Sequence, residues 1–343
     1  MTKLGMMAAS VLALTLGAGA ALAQEVTLKL HQFLPAQANV PKLVLDVWAD
    51  TIEKESAGRI KVERYAAMAL GGKPPELYDQ AIDGVADVVW TVLGYTPGRF
   101  PQAEVFELPF MTLGAGPASC AYWTMAEKYM LDKEFKDVKV VGVWVHGPGM
   151  IHANKEIRTP DDLQGVKIRG GSRVVSQLLE QLGATPVGMP VTAVPEALSK
   201  GVLDATTIPW EVTASLKVPE LVKNHTEFTG GALYNIPFVF AMNKAKYDSL
   251  PADLKAVIDK NSGMDFSVFG GKTQEGADGP AREAAVKVGN NIITLTEAET
   301  KVWRDKAAPI YASWIADMKG KGIDGEALIK EATDLQTGAC AGK

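Results

Sequence analysis

The chain has 343 residues, of which 47% are hydrophobic and 22% are charged. This apolar content excludes a disordered chain, and the length is sufficient for two hydrophobic cores. Lys and Arg number 35 against 40 Asp and Glu, and the formal charge of −5 excludes a surface that attracts nucleic acid through its net charge. Two cysteines are too few for a disulfide framework or a thiolate metal site.

The first 23 residues have the pattern of a cleavable secretory signal peptide. Lys3 precedes the apolar segment Met6–Leu22, and the small-x-small sequence Ala21-Leu22-Ala23 follows its core. This pattern predicts export to the periplasm with cleavage after Ala23. A membrane anchor is the alternative, but the segment is short and rich in Ala and Gly, and no later stretch reaches about 18 uninterrupted apolar residues.

From Val26 onwards, predicted strands and helices alternate. In the first half we predict strands at 26–30, 60–65, 85–93 and 138–145, and helices at 41–58, at 75–82 and after Pro117. In the second half we predict strands at 166–169, from 185 and at 202–208, with helices starting at 159, after Ser172 and at 193–200. The last third is mainly helical, with a break near Gly276 to Pro280 and a capping box at Thr296 and Glu299. The alternation is typical of open α/β sheets, here in two lobes with a ligand cleft between them.

Arg169 is the strongest candidate for a ligand-binding residue. It stands at the carboxyl end of a predicted parallel strand, which is the edge where open α/β sheets bind ligands. Gly170 and Gly171 allow a ligand to approach the backbone, and Ser172 starts a helix whose free N–H groups favour an anion. A guanidinium in this position is suited to a carboxylate. The alternative is an ordinary ion pair on the surface or between helices.

Several apolar side chains lie where predicted strands meet the cleft. These are Phe33, Trp90, Met189, Ile208 and Trp210. Packing in the core is the alternative for each of them. Together they would form a mostly apolar pocket around a single guanidinium.

The four histidines do not form a recognisable metal or catalytic site. His31, His146, His152 and His225 lack the spacing of zinc ligands, and no Ser/His/Asp set can be identified from local spacing. We therefore predict no catalysis, no metal and no cofactor. His31 and His146 could line the cleft as hydrogen-bonding groups, whereas a structural role is expected for His225 and, less clearly, for His152.

Cys120 and Cys340 lie near the ends of their regions, and in an oxidising compartment thiols tend to pair. A disulfide that holds the C-terminal tail and two separate thiols both remain open.

Several segments in a fixed order resemble the periplasmic solute-binding proteins of TRAP transporters, the DctP-type family. The segments include Gln164–Arg169, Leu182–Met189, Glu196–Leu198, Gly201–Asp204, Pro209, Phe106–Phe110, Met242–Lys244 and Leu250–Pro251. The resemblance covers nearly the whole chain after the signal. It implies a two-lobed periplasmic binding protein fold with open mixed sheets, crossing segments, a long connecting helix and a helical C-terminal segment. We assign residues 24–145 and 232–270 to lobe I, and residues 146–231 and 271–343 to lobe II.

The resemblance also implies a function. An organic acid is bound between the lobes and delivered to a small and a large integral-membrane subunit, and the family's carboxylate-binding arginine corresponds to Arg169. Polar positions of the family correspond to Ile208, to a position near Gly149 and, for the acidic position of sugar-acid binders, to a position near Val92. Because these replacements are apolar, we predict an apolar monocarboxylate, with benzoate or a hydroxybenzoate favoured. His146, Ser172 or Tyr234 would bind a ring hydroxyl.

Other interpretations remain open at this point. The ligand could be an α-keto acid, a C4-dicarboxylate or a sugar acid. An exported enzyme and a binding protein of an ATP-driven importer or a sensor are more distant alternatives. We expect a monomer.

Overall fold

The computed structural model of the protein describes residues 24–343, so the predicted signal peptide and cleavage site lie outside the described residues. The described residues contain the strands β1 (Val26–His31), β2 (Ile60–Tyr65), β3 (Val88–Val92), β4 (Val138–Val145), β5 (Met150–Ala153), β6 (Lys167–Gly170), β7 (Thr185–Gly188), β8 (Ala205–Ile208), β9 (Asn224–Glu227), β10 (Pro237–Asn243) and β11 (Asn291–Thr294).

The same residues contain the helices α1 (Asp46–Glu55), α2 (Leu77–Ile82), α3 (Ala115–Tyr129), α4 (Arg173–Gln181), α5 (Val194–Ser199), α6 (Trp210–Thr213), α7 (Val218–Leu221), α8 (Lys244–Asp248), α9 (Ala252–Lys260), α10 (Met264–Gly276), α11 (Asp278–Lys287), α12 (Glu297–Ala307), α13 (Pro309–Gly320) and α14 (Gly325–Thr337). None of these helices is long and apolar enough to cross a membrane.

The strands form two mixed sheets. The first sheet has the order β2-β1-β3-β10-β4, and the second has the order β11-β9-β5-β8-β6-β7. Each contains one strand that is antiparallel to both of its neighbours, β10 in the first sheet and β5 in the second. The remaining pairs are parallel. The predicted open mixed sheets are therefore confirmed.

The chain passes between the two sheets several times. Residues 146–149 lead from β4 to β5, and residues 228–236 lead from β9 back to β10. These two crossing segments are joined, because the Asn235 side chain donates to the backbone oxygens of His146 and Gly147 at 2.5 and 2.9 Å. A third passage is helical: α10 packs on β4, α11 packs on α6, and only Ala277 separates the two helices.

Local signals predicted many elements correctly. The bounds of β2 and β4 are those predicted, Ser172 caps α4 by accepting from the Val175 N–H at 3.1 Å, and Thr296 and Glu299 form a capping box. Other predictions were too long. The predicted strand 85–93 is reduced to β3 and the strand 202–208 to β8, and the helix predicted from Thr159 is only a short 3₁₀ turn, Pro160–Leu163.

Four strands were missed, namely β5, β9, β10 and β11. Two of them, β5 and β9, are only four residues long and have polar side chains buried within the sheet, so neither shows an alternating pattern. The strand β10 is entirely buried, and its neighbours in the sheet lie about 100 residues or more away along the chain. Such long-range pairing leaves no local periodicity to detect.

The C-terminal helices return towards the first sheet. The helix α13 contacts α4, α14 contacts α3, and a disulfide joins Cys120 in α3 to Cys340 after α14. Because α3 packs on β4, the last segment of the chain is tied to the first sheet. The division into residues 24–145 with 232–270 and 146–231 with 271–343 stays a prediction.

Removal of the disulfide by the double substitution C120A/C340A is expected to lower the free energy of unfolding. The bridge closes a loop with a sequence separation of 220 residues. Restricting an unfolded chain over such a loop contributes about 5 kcal/mol in the chain-entropy account. Urea unfolding of both proteins, with and without reductant, measures the loss. The reduced parent protein should match the double variant, and equal stability of the oxidised parent and the variant would contradict the prediction.

A buried pair of histidines joins two neighbouring strands of the second sheet. His152 Nδ1 and His225 Nδ1 are 2.7 Å apart, His152 Nε2 lies 3.1 Å from the backbone oxygen of Ile208, and Asn290 Nδ2 lies 3.0 Å from His225 Nε2. Because the backbone oxygen only accepts and the Asn290 amide nitrogen only donates, the protons are assigned: Asn290 donates to His225, His225 to His152, and His152 to Ile208. The structural roles predicted for both histidines agree with this arrangement.

Each member of this pair is neutral in the folded protein. Burial lowers the pKa of His152 to about 4. Burial, together with the repulsion that a protonated His152 would exert, lowers the pKa of His225 to about 3. The unfolded chain, with ordinary histidine pKa values near 6.5, therefore binds more protons than the folded chain below that pH. The contribution of the pair to stability is present above about pH 6.5 and is lost as the pH falls towards 4.

The variant H225Q is expected to lose less stability than the parent protein when the pH is lowered from 7 to 5. The difference should be roughly 2 kcal/mol, the linkage value for one histidine whose pKa is depressed this far. Urea unfolding at both pH values measures it. Between pH 7 and 8 the difference between the two proteins should stay constant, and a parallel decline at pH 5 would show that His225 is protonated in the folded state.

Candidate functional site

Residues of both sheets line a cavity that is partly open to solvent. Six of the nine predicted ligand-binding residues line it, and they come from both sheets and from the crossing segments. They are Phe33, Trp90, His146, Arg169, Ile208 and Tyr234.

Arg169 lies at the end of β6 and is 4% exposed. Its Nε donates to the backbone oxygen of Met189 at 3.0 Å, and its Nη1 donates to that of Thr207 at 3.1 Å. A Cβ atom on Gly171 would lie 2.8 Å from Nη1, so the glycine provides the space in which the guanidinium rests. No Asp or Glu among the described residues forms an ion pair with Arg169. Its charge is therefore fixed in position and is available to an anion in the cavity.

Two predicted site residues act differently from the prediction. Met189 contributes its backbone oxygen to Arg169, while the residue itself lines a neighbouring cleft. Ser172 also lies in that cleft, where its hydroxyl donates to Glu107 Oε2 at 2.5 Å and accepts from the Val175 N–H. The Ser172 hydroxyl is therefore bonded to Glu107 and to the start of α4, and it lies outside the lining of the main cavity.

Trp210 is the third predicted residue that does not line the cavity. It begins α6, and its indole N–H donates to Glu227 Oε1 at 2.9 Å. Glu227 is itself ion-paired with Arg282. This bond holds the Trp210 ring against the histidine pair, at ring-centre distances of 5.0 Å from His152 and 4.8 Å from His225. The prediction that Trp210 forms part of the apolar pocket was therefore wrong.

Stacked aromatic rings form one wall of the cavity. Phe33 and Trp90 are parallel, with ring centres 4.7 Å apart, and Phe238 stacks on Trp90 at 5.0 Å. The Trp90 indole N–H is buried without a hydrogen-bond partner among the described residues. Phe238 and Tyr95 also line the cavity and were missed, because β10 and the turn after β3 gave no sign of facing a ligand.

Tyr234 explains why the chain has glycine at position 149. A Cβ atom there would lie 2.2–2.6 Å from atoms of the Tyr234 ring, and the Gly149 N–H donates to the Tyr234 backbone oxygen at 3.0 Å. The aromatic ring thus occupies the space that a side chain at position 149 would need. The Tyr234 hydroxyl is buried without a partner among the described residues, and burial raises its pKa to about 12.

His146 is also neutral, because burial lowers its pKa to about 4. Its Nδ1 lies 2.5 Å from the backbone oxygen of Gly147, so Nδ1 carries the proton and Nε2 is left as an acceptor. Its ring meets Tyr234 edge to face at 5.6 Å.

Glu211 and Gln274 also line the cavity, and sequence reasoning missed both. Gln274 accepts from the Trp144 indole N–H at 2.8 Å, which directs its amide nitrogen to Glu211 Oε1 at 2.7 Å. Burial raises the pKa of Glu211 to about 7. The one signal in the sequence that could have predicted Glu211 in the cavity lining is its position three residues after Ile208, just past the end of a strand.

The remaining lining is mostly apolar. It includes Val92 and Ile208, where the family resemblance predicted the loss of polar groups, together with Ile236. The described residues contain no group of His, Cys, Asp and Glu side chains that could hold a metal ion.

Comparisons with known proteins agree with this geometry. The family model DctP, bacterial extracellular solute-binding protein family 7, matches residues 32–317. A TRAP solute-binding protein from Rhodoferax ferrireducens, solved with copurified benzoate, is 48% identical with a TM-score of 0.89, over 91% of this chain and 97% of that one. A marine metagenome TRAP protein specific for aromatic acids, solved with 3-hydroxybenzoate, is 46% identical with a TM-score of 0.89, over 92% and 99%.

A curated relative is the C4-dicarboxylate-binding periplasmic protein DctP of Rhodobacter capsulatus, which is 27% identical over 82% of this chain and 83% of its own length. The two solved structures confirm the predicted two-lobed binding-protein fold, and the match to the family model covers most of the chain. The chain belongs to the DctP family of TRAP transporter solute-binding proteins.

Proposed function

We propose that this protein binds a small aromatic monocarboxylate in the cavity between its two sheets. The observation that carries the proposal is Arg169, a buried guanidinium that has only neutral acceptors among residues 24–343 and lies in an aromatic-walled cavity. A ligand carboxylate would neutralise this charge, and its ring would pack against Phe33, Trp90 and Phe238.

The lining favours this class over more polar acids. A sugar acid would place hydroxyl groups against Val92 and Ile208, and each unpaired hydroxyl would cost about 1–3 kcal/mol. An aromatic ring in the same place gains about 25 cal/mol for each Å² of apolar surface removed from water. The two structural relatives that bind benzoate and 3-hydroxybenzoate support the same choice.

Closure of the two lobes would complete the site, since its residues come from both sheets. Contacts across the interface are already formed: Arg173 of α4 pairs with Glu104 at 2.5 Å, and Ser172 bonds Glu107. Opening about the crossing segments would break these contacts and release the ligand.

The cellular role follows from the family. We infer that the protein works in the periplasm as a monomer and delivers its ligand, chemically unchanged, to the small and large membrane subunits of a TRAP transporter. The signal pattern of residues 1–23 and the Cys120–Cys340 disulfide, which suits an oxidising compartment, support this location.

A thermal-shift panel tests the ligand class. Benzoate and hydroxybenzoates at millimolar concentration should raise the unfolding midpoint, because a ligand at about 1,000 times its Kd adds roughly 4 kcal/mol of stability. C4-dicarboxylates, α-keto acids and hexuronates should have no comparable effect. A shift confined to dicarboxylates or hexuronates would overturn the assigned ligand.

Arg169→Met should weaken binding of the aromatic acid at least tenfold, since a hydrogen-bonded charge contributes about 1.5–3 kcal/mol. Isothermal titration calorimetry measures the change. Arg158→Ala, which removes an exposed arginine outside the cavity, is the control and should bind like the parent protein. Unchanged affinity of the Arg169 variant would exclude this residue as the anchor.

A further inference from the structure

Besides Arg169, the cavity lining includes an acidic side chain, that of Glu211. Glu211 is 2% exposed and lines the cavity, its Oε1 accepts from Gln274, and its Oε2 has no hydrogen-bond partner among the described residues. Neither oxygen pairs with Arg169. If the carboxylate of a ligand binds Arg169, the Glu211 Oε2 atom still has no hydrogen-bond partner unless another polar group of the ligand contacts it.

Glu211 is held rigidly in this place. Its backbone N–H donates to Asp278 Oδ1 at 2.7 Å, and its backbone oxygen accepts from the Asn39 side chain at 2.7 Å. Gln274 cannot turn away, because its oxygen is bound by the Trp144 indole N–H. The carboxyl group is thus positioned before the ligand arrives, which is the arrangement expected of a group that selects between ligands.

We propose that Glu211 binds a hydroxyl group on the ring of the aromatic acid, so that the protein prefers hydroxy-substituted over unsubstituted aromatic monocarboxylates. This rests on the proposed function, and it makes Glu211 the residue that determines specificity within that ligand class. An unsubstituted ring would leave a buried carboxyl oxygen against C–H groups, which carries the penalty of an unpaired polar group.

The chemistry of Glu211 favours a hydroxyl over other substituents. Burial raises its pKa to about 7, so both protonation states occur near neutral pH. A phenolic hydroxyl donates to the ionised carboxylate and accepts from the protonated acid, whereas an ether can only accept. A second ligand carboxylate would be repelled by the ionised form.

Calorimetric titration of the parent protein and variants with benzoate and with 2-, 3- and 4-hydroxybenzoate tests the proposal. In the parent protein, the Kd of benzoate should exceed that of the best hydroxybenzoate at least tenfold. In Glu211→Leu this ratio should fall to about one, mainly through weaker binding of the hydroxybenzoate. Glu211→Gln, which keeps a donor and an acceptor, should restore a ratio of several fold.

Glu134 supplies a matched control. It is a half-buried residue with one bonded carboxyl oxygen, which accepts from the Gln102 N–H, and one buried oxygen without a partner among the described residues, and burial raises its pKa to about 7. Because it does not line the cavity, Glu134→Leu should leave the ratio unchanged. If Glu211→Leu fails to fold by circular dichroism, Glu211→Gln decides alone, with at least a threefold fall in the ratio expected.

The outcomes separate the two proposals. If no aromatic acid binds the parent protein, the proposed function is wrong. If benzoate and every hydroxybenzoate bind equally well, or if the folded Glu211 variants keep the full preference, the proposed function stands and the role of Glu211 is wrong. In the last case His146, Tyr234 or Trp90 binds the hydroxyl instead.

Discussion

A buried, positively charged side chain that has no acidic partner in the described part of the chain determines most of the features of this site. Arg169 is held by the backbone oxygens of Met189 and Thr207, which orient the guanidinium but do not neutralise it. Burying such a charge is unfavourable until an anion enters. The desolvation cost of this buried charge arises at the end of β6, and the shape and polarity of the surrounding cavity determine which anion can enter.

Both sheets contribute residues to the lining of that cavity. The second sheet supplies the charge, and the first sheet supplies the stacked rings of Phe33, Trp90 and Phe238. The crossing segments add His146 and Tyr234, and they are bonded to each other through Asn235. Because neither sheet carries all of the lining residues, binding of the proposed ligand would be coupled to movement of one sheet relative to the other.

Buried carboxyl groups lie around the same region. Burial raises the pKa of Glu107 and of Asp278 to about 8, and Asp278 is also affected by the nearby Glu211. Folding therefore favours their protonated forms, and their contribution to stability is lost as the pH rises through 8. The histidine pair His152 and His225 has the opposite dependence, so the two sets of groups confine maximal stability to an intermediate pH range.

Local chemistry in the sequence was enough to predict that Arg169 lines the cavity, because a strand end, two glycines and a capping serine are all adjacent to it. The same reasoning found the capped helix α4 and the strands β2 and β4, whereas the family resemblance pointed to the apolar positions Val92 and Ile208. It could not choose between Trp210 and Glu211, which are neighbours in the chain and face opposite surroundings. Bonds to residues distant in the chain decide their directions: Trp210 bonds Glu227, and Glu211 bonds Gln274 and Asp278. The pairing of Cys120 with Cys340 and the place of β10 were likewise decided only by tertiary contacts, since residues far apart along the chain leave no local pattern.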